Sequence, residues 1–180
     1  MLKVYYADAG DNDGHDFVWA MLKTILARDY NINFTQEDVL YTEHKKPYIK
    51  GHPIHFNLSH HGRLCVVAVS DVCVGVDAES RERLEYNLDN NVYESWLSEK
   101  DLKEFGKVED KLGFLTQKWT EKEAVLKMIG SGILNVQSMK NAFRNADYEV
   151  SSFWIGNYCL SAVNTDGDKL KIKNLIHFVE

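Results

Sequence analysis

Between residues 54 and 76 the chain packs three apolar, valine-rich runs, 54–58, 64–69 and 72–76, separated only by Ser59-His60-His61-Gly62-Arg63 and by Ser70-Asp71. Runs this short are not ordinary helices, and gaps of two to five residues join antiparallel strands. The spacing predicts an antiparallel meander, which needs cover from the rest of the chain. Residues 15–30 supply it. Phe17, Val18, Met21, Leu22, Ile25 and Leu26 recur at helical spacing and define an amphipathic helix. A strand at 2–7 precedes that helix. A short strand at 39–42 leads into a polar loop, 44–53, holding both prolines.

The second half repeats the scheme. Residues 79–111 are dense in charge and predict mostly helical, exposed structure. Residues 114–129 predict a long helix, with Leu115, Trp119, Val125, Leu126 and Ile129 available to a core and Gly130-Ser131-Gly132 as its stop. Three strand candidates follow, 148–154, 158–163 and 170–178, with turns at Gly156-Asn157 and Asp166-Gly167-Asp168. Helix followed by β-runs occurs twice, which predicts an α+β protein of two similar halves.

Charge narrows the function. Lys and Arg total 21 against 27 Asp and Glu, a net charge of -6, which argues against a general binder of nucleic acid or anionic membrane. The opening residues lack a basic segment followed by an apolar one, and no stretch reaches the ~18 apolar residues of a membrane span. Cys65, Cys73 and Cys159 form no CxxC pair and are expected as reduced thiols. The expectation is a soluble, cytoplasmic chain.

Two carboxylate spacings carry chemistry. Asp77 and Glu79 lie two apart at the end of an apolar β-run, so both project from one face. Two hard oxygen ligands on one face suit Mg²⁺, although alone they also describe a solvated strand end. Glu123 and Lys127 lie four apart on the long helix, either as a surface ion pair or, with Trp119 on the same stripe, facing inward. Ser59-His60 is not a nucleophile–base pair, because adjacent residues cannot form one and no G-x-S-x-G elbow is present. Lys45-Lys46-Pro47 gives a restricted cationic loop that could meet an anion.

In order and spacing these pieces resemble the 4′-phosphopantetheinyl transferase superfamily. The resemblance rests on Lys46-Pro47-Tyr48, Phe56-Asn57-Leu58-Ser59-His60, Gly75-Val76-Asp77-Ala78-Glu79, and Trp119-Thr120-Glu121-Lys122-Glu123-Ala124-Val125-Leu126-Lys127 with Gly130-Ser131-Gly132. More than 70 residues precede Asp77, which looks like the two-subdomain, monomeric type rather than the small trimeric one. That type implies two α/β subdomains related by a pseudo-twofold, here 1–72 and 73–180, with the site between them.

The resemblance also implies an activity: transfer of the phosphopantetheine arm of coenzyme A to a serine of an apo acyl, peptidyl or polyketide carrier protein, releasing 3′,5′-ADP. Asp77, Glu79 and Glu123 would hold Mg²⁺, with Mn²⁺ as a substitute. Glu123, directly or through a metal-bound water, would take the serine proton, and Lys127 would contact the phosphate. Ser59 and His60 would meet the 3′-phosphate end of coenzyme A, and Lys46 and Pro47 would lie beside its adenine and phosphates. One departure stands out. The segment Gly14-His15-Asp16-Phe17-Val18 has no arginine where such members usually place one for the 3′-phosphate, leaving Lys45, His61 or Arg63 as substitutes. The alternatives are a catalytically weak paralogue that binds coenzyme A or a carrier, and a metal-dependent phosphodiester hydrolase.

Overall fold

The computed structural model describes residues 2–131, 136–143, 148–166 and 175–178. Strand β1 (Lys3–Asp8) leads to helix α1 (Gly14–Tyr30), then to a short hairpin of β2 (Val39–Tyr41) and β3 (Pro47–Ile49). Strands β4 (His55–His61), β5 (Leu64–Ser70) and β6 (Val74–Ser80) follow, then helices α2 (Arg81–Asp89), α3 (Tyr93–Trp96) and α4 (Glu99–Phe105). The long helix α5 (Lys111–Ile129), a short α6 (Val136–Lys140) and strands β7 (Ser151–Ile155), β8 (Tyr158–Asn164) and β9 (Leu175–His177) complete the order. The architecture is mixed α+β, as the run pattern predicts.

Among the described residues the strands form two larger sheets, in the orders β4-β5-β1-β9 and β6-β8-β7, and a two-stranded one, β2-β3. The expected three-strand meander is therefore corrected. β4 and β5 do pair antiparallel, but β5 has β1 on its other edge, so no edge is left for the third run. That run begins at Val74 and pairs with β8 instead. The turn expected over 59–63 is also corrected: β4 continues to His61, and Gly62-Arg63 alone makes the hairpin, with Gly62 at φ +53°. Likewise the polar loop 44–53 contains β3, whose Ile49 is buried against the first core.

Three apolar clusters hold the layers together. Helix α1 has Asp13 as its N-cap, which accepts from the His15 and Asp16 N–H groups, and ends at Asn31 in the left-handed region. Its Val18, Met21, Leu22, Ile25 and Leu26 cover Tyr5, Phe56, Cys65, Val67 and Val69. The opposite face of that sheet, Val4, Leu64, Val66 and Ala68, packs on Val74, Val76, Ala78, Leu160 and Ala162 of the second sheet. Helix α5 closes the far side with Leu115, Ala124, Val125 and Met128. Ile129, expected in the core, is exposed. The helices of 79–111 are not simply a solvated face: Leu84, Trp96 and Leu97 are buried, and Asp101 holds the buried Lys122 at 2.8 Å. Cys65, Cys73 and Cys159 are free thiols. Gly132, Gly167, Asp168 and residues 170–174 of the sequence reading lie outside the described residues.

The two sheets meet along β4 and β6, and side chains stitch that seam. Asn57 Oδ1 accepts from the Val76 N–H at 2.8 Å, Ser59 Oγ accepts from the Ala78 N–H at 3.2 Å, and His61 Nε2 lies 3.2 Å from Ser80 Oγ. Alternate residues of β4 thus take the place of a ladder strand along β6. On the other face of β6, Gly75 lets α5 approach: a Cβ there would lie 1.9 Å from the Ala124 carbonyl oxygen and 2.6 Å from the Met128 nitrogen. Overpacking of a core usually costs about 1–3 kcal/mol, and backbone atoms cannot rotate away, so Gly75→Ala should cost at least about 3 kcal/mol in urea denaturation. A loss below about 1 kcal/mol would show that α5 is free to shift.

Candidate functional site

Strand and helix periods together build the site. Asp77 and Glu79 share the face of β6 that Gly75 opens toward α5, and Glu123 and Lys127 share the facing stripe of α5. The result is a tight acidic cluster. Asp77, Glu79 and Glu123 each offer a carboxylate oxygen, and these atoms lie within 4.8 Å of one another. The inward reading of Glu123 and Lys127 holds: Lys127 Nζ donates to Asp77 Oδ1 at 2.6 Å and to Ser59 Oγ at 3.1 Å.

Three carboxylates facing one ammonium cannot all be neutralised. Burial, with Asp77 and Glu123 beside it, pushes Glu79 up to about 8. Burial and Asp77 push Glu123 up to about 7, against the pull of Lys127. Burial opposes the charge on Lys127, but Asp77, Glu123 and Glu79 outweigh it and hold the ammonium above its ordinary value. Asp77 is 2% exposed, and its Oδ2 has no hydrogen-bond partner. Glu79 Oε2 lies 2.8 Å from His61 Nδ1 without hydrogen-bond geometry, and burial lowers the tendency of that imidazole to take a charge. Bare, crowded carboxylate oxygens with a surplus of negative charge fit a hard divalent cation such as Mg²⁺.

The other expected residues lie around this cluster. Ser59, buried on β4, joins it directly, donating to Asp77 Oδ1 at 2.9 Å. His60 points to the opposite face of β4 and is exposed beside α1, where its ring stands edge-on to His15 with centroids 6.4 Å apart. Pro47 opens β3, and Lys46 Nζ donates to the carbonyls of Val74 at 2.8 Å and Met128 at 3.0 Å, tying the hairpin to β6 and the last turn of α5. Among the substitute cations, Arg63 pairs with Asp8, His61 sits against Glu79, and Lys45 projects from the hairpin turn. Sequence reasoning missed His61 as a neighbour of Glu79 and Asn57 as a seam residue. Their signal was the period-two polar series Asn57, Ser59, His61 inside a strand.

In class terms this is a mixed α+β protein with a carboxylate–lysine centre that fits a divalent cation. Residues 73–171 match the 4′-phosphopantetheinyl transferase superfamily, and the chain belongs to it. It is also similar to the 4′-phosphopantetheinyl transferase gsp of Aneurinibacillus migulanus, 27% identical over 145 residues, covering 76% of this chain. The chain spans about half of that relative, 53% of its length. Among the described residues no helix is long and apolar enough to cross a membrane.

Proposed function

We propose that this chain transfers the 4′-phosphopantetheine arm of coenzyme A to a serine of an apo acyl, peptidyl or polyketide carrier protein, with Mg²⁺, releasing 3′,5′-ADP. The observation that carries the reading is the convergence of Asp77, Glu79, Glu123 and Lys127 in a chain of this superfamily. Asp77, Glu79 and Glu123 would hold Mg²⁺, or Mn²⁺ in its place, and the bound ion would neutralise diphosphate oxygens.

The carrier serine Oγ bonds to the phosphorus that bears pantetheine. The bond from that phosphorus to the oxygen of 3′,5′-ADP breaks, and the serine proton passes to a Glu123 carboxylate oxygen. An ammonium has three donors, and Lys127 uses two on Asp77 and Ser59, so its third is left for a phosphoryl oxygen. The nucleophile belongs to the carrier, which accounts for a site of carboxylates and a lysine. The hairpin residues Lys46 and Pro47, with Ser59 and His60, form the nucleotide end. The chain works as a cytoplasmic monomer of two halves, 1–72 and 73–180. Two observations support this: α1 covers one sheet as α5 covers the other, and the free thiols suit a reducing compartment.

Intact-mass measurement of several apo carriers incubated with coenzyme A and Mg²⁺ tests the reading. One carrier should gain the mass of phosphopantetheine, and a chelator should prevent the gain. Free phosphopantetheine with no carrier modified would instead establish a hydrolase. The nucleotide end has its own test. His60→Ala should raise KM for coenzyme A roughly tenfold, as expected for one lost bond to a charged group, and leave KM for 3′-dephospho-coenzyme A nearly unchanged. Equal effects on both substrates would make His60 structural.

A further inference from the structure

The three cysteines of this chain sit in different surroundings. Cys65 and Cys159 are fully buried, and burial pushes both thiols up to about 11. Structural thiols of that kind are inert. Cys73 is half-buried, in the turn that carries the chain from β5 into β6. Its sulfur lies 3.8 Å from Nδ1 of His55, the first residue of β4, a hydrogen-bond distance for sulfur. Lys46 joins them from the β2–β3 hairpin, its Nζ tied to the carbonyl of Val74, the residue after Cys73. Burial disfavours the Lys46 ammonium, and a negative charge on Cys73 favours it. Burial, then Lys46, hold His55 below its ordinary value against the pull of Asp71, so its imidazole is free to accept a proton. A partly exposed thiol beside an imidazole and a lysine is the setting in which cysteines react. The transfer chemistry above uses neither Cys73 nor His55.

We propose that Cys73 and His55 form a thiol–imidazole pair that exchanges with low-molecular-weight disulfides and keeps one half as a mixed disulfide. The pair stands on the placement of these two side chains beside Lys46 and does not depend on the transferase reading. His55 Nδ1 takes the thiol proton, the other ring proton being on Nε2. The Cys73 sulfur attacks one sulfur of a disulfide RS–SR. A bond from Cys73 to SR forms, the S–S bond of the reagent breaks, and the departing RS⁻ takes the proton back from His55. Cys73 is oxidised and the departing sulfur is reduced, so the disulfide itself is the oxidant. In a reducing compartment the adduct forms when small disulfides accumulate, and excess thiol reverses it. Two sources share this chemistry: the disulfide of coenzyme A, whose phosphates suit the Lys46 ammonium, and small disulfides that carry no phosphate.

The native chain, incubated with coenzyme A disulfide or with uncharged 2-hydroxyethyl disulfide, tests the pair by intact mass and peptide mapping. One adduct per chain should form on Cys73, with Cys65 and Cys159 unmodified, and dithiothreitol should remove it. Cys73→Ser should form none. His55→Gln should slow the adduct about tenfold, because a cysteine without a base is only a few per cent thiolate at neutral pH. Should His55→Gln fail to fold, His55→Asn gives the same comparison, with an amide near the place of Nδ1 and no basicity. A rate advantage of coenzyme A disulfide that Lys46→Gln abolishes would identify coenzyme A as the favoured source, and equal rates for both reagents would identify a general exchange site. An unmodified Cys73 would overturn the proposal. So would adducts spread over all three cysteines, which report unfolding rather than a site, or a folded His55 variant that reacts at the wild-type rate.

Discussion

Glu123→Gln should lower kcat for holo-carrier formation by about 10³-fold, and excess Mg²⁺ should not bring it back. A positioned general base contributes typically 10²–10⁴-fold, and the amide cannot take the serine proton even where its oxygen still reaches a metal. The substitution keeps size and removes one of three crowded carboxyl groups, whose burial first and mutual repulsion second raise the Glu79 and Glu123 values. The metal-free variant should therefore melt no lower than wild type, and its stabilisation by added Mg²⁺ should shrink. The pairing of intact fold with lost turnover separates chemistry from damage. Recovery of kcat at high Mg²⁺ would reduce Glu123 to a metal ligand, and near-wild-type kcat at all Mg²⁺ concentrations would remove it from the site.

The site was legible where its spacing was local. Asp77 and Glu79 are two apart on a strand, Glu123 and Lys127 four apart on a helix, and each period fixes a face without knowledge of the fold. Their meeting depended on Gly75, whose missing Cβ sets the closeness of α5. A glycine in a strand announces some close approach but not which helix makes it. The seam was harder to see. Asn57, Ser59 and His61 resemble the start of a turn because polar residues usually end apolar runs. Here they replace a strand's hydrogen bonds, a role visible only once β6 is known to leave the first sheet. The departure of β6 was itself hidden, since its partner β8 lies some 80 residues on and pairing over that distance leaves no local signature. Asp101 and Lys122 gave no warning for the same reason, being an ordinary helical cap residue and an ordinary lysine until α4 packs on α5.

Lys127→Ala should fail differently from Glu123→Gln, and the contrast locates both residues. Removing the ammonium takes the partner from Asp77, whose side chain is only 3% exposed, and leaves three carboxylates with no cation bonded to them. Breaking a buried pair costs about 3–5 kcal/mol, and because Lys127 itself is 29% exposed the expected loss is nearer about 2–3 kcal/mol. Added Mg²⁺ should recover much of that stability, since positive charge returns to the same carboxylates. Turnover should not recover with it. The lysine's third donor meets charge that grows on the phosphoryl oxygens as the bond to 3′,5′-ADP lengthens, so kcat should drop by more than KM rises, by about 10²–10³-fold. Lys127→Arg should restore stability more than rate, because a planar fork keeps the charge but does not reproduce three donors spread about one nitrogen. Melts with and without Mg²⁺, run beside steady-state kinetics for both alanine and arginine variants, check each arm. If Lys127→Ala keeps its Tm and its kcat, the pair is an ordinary surface contact and Lys127 has no part in the chemistry. If stability falls but kcat holds once Mg²⁺ is added, Lys127 serves only to balance the carboxylates.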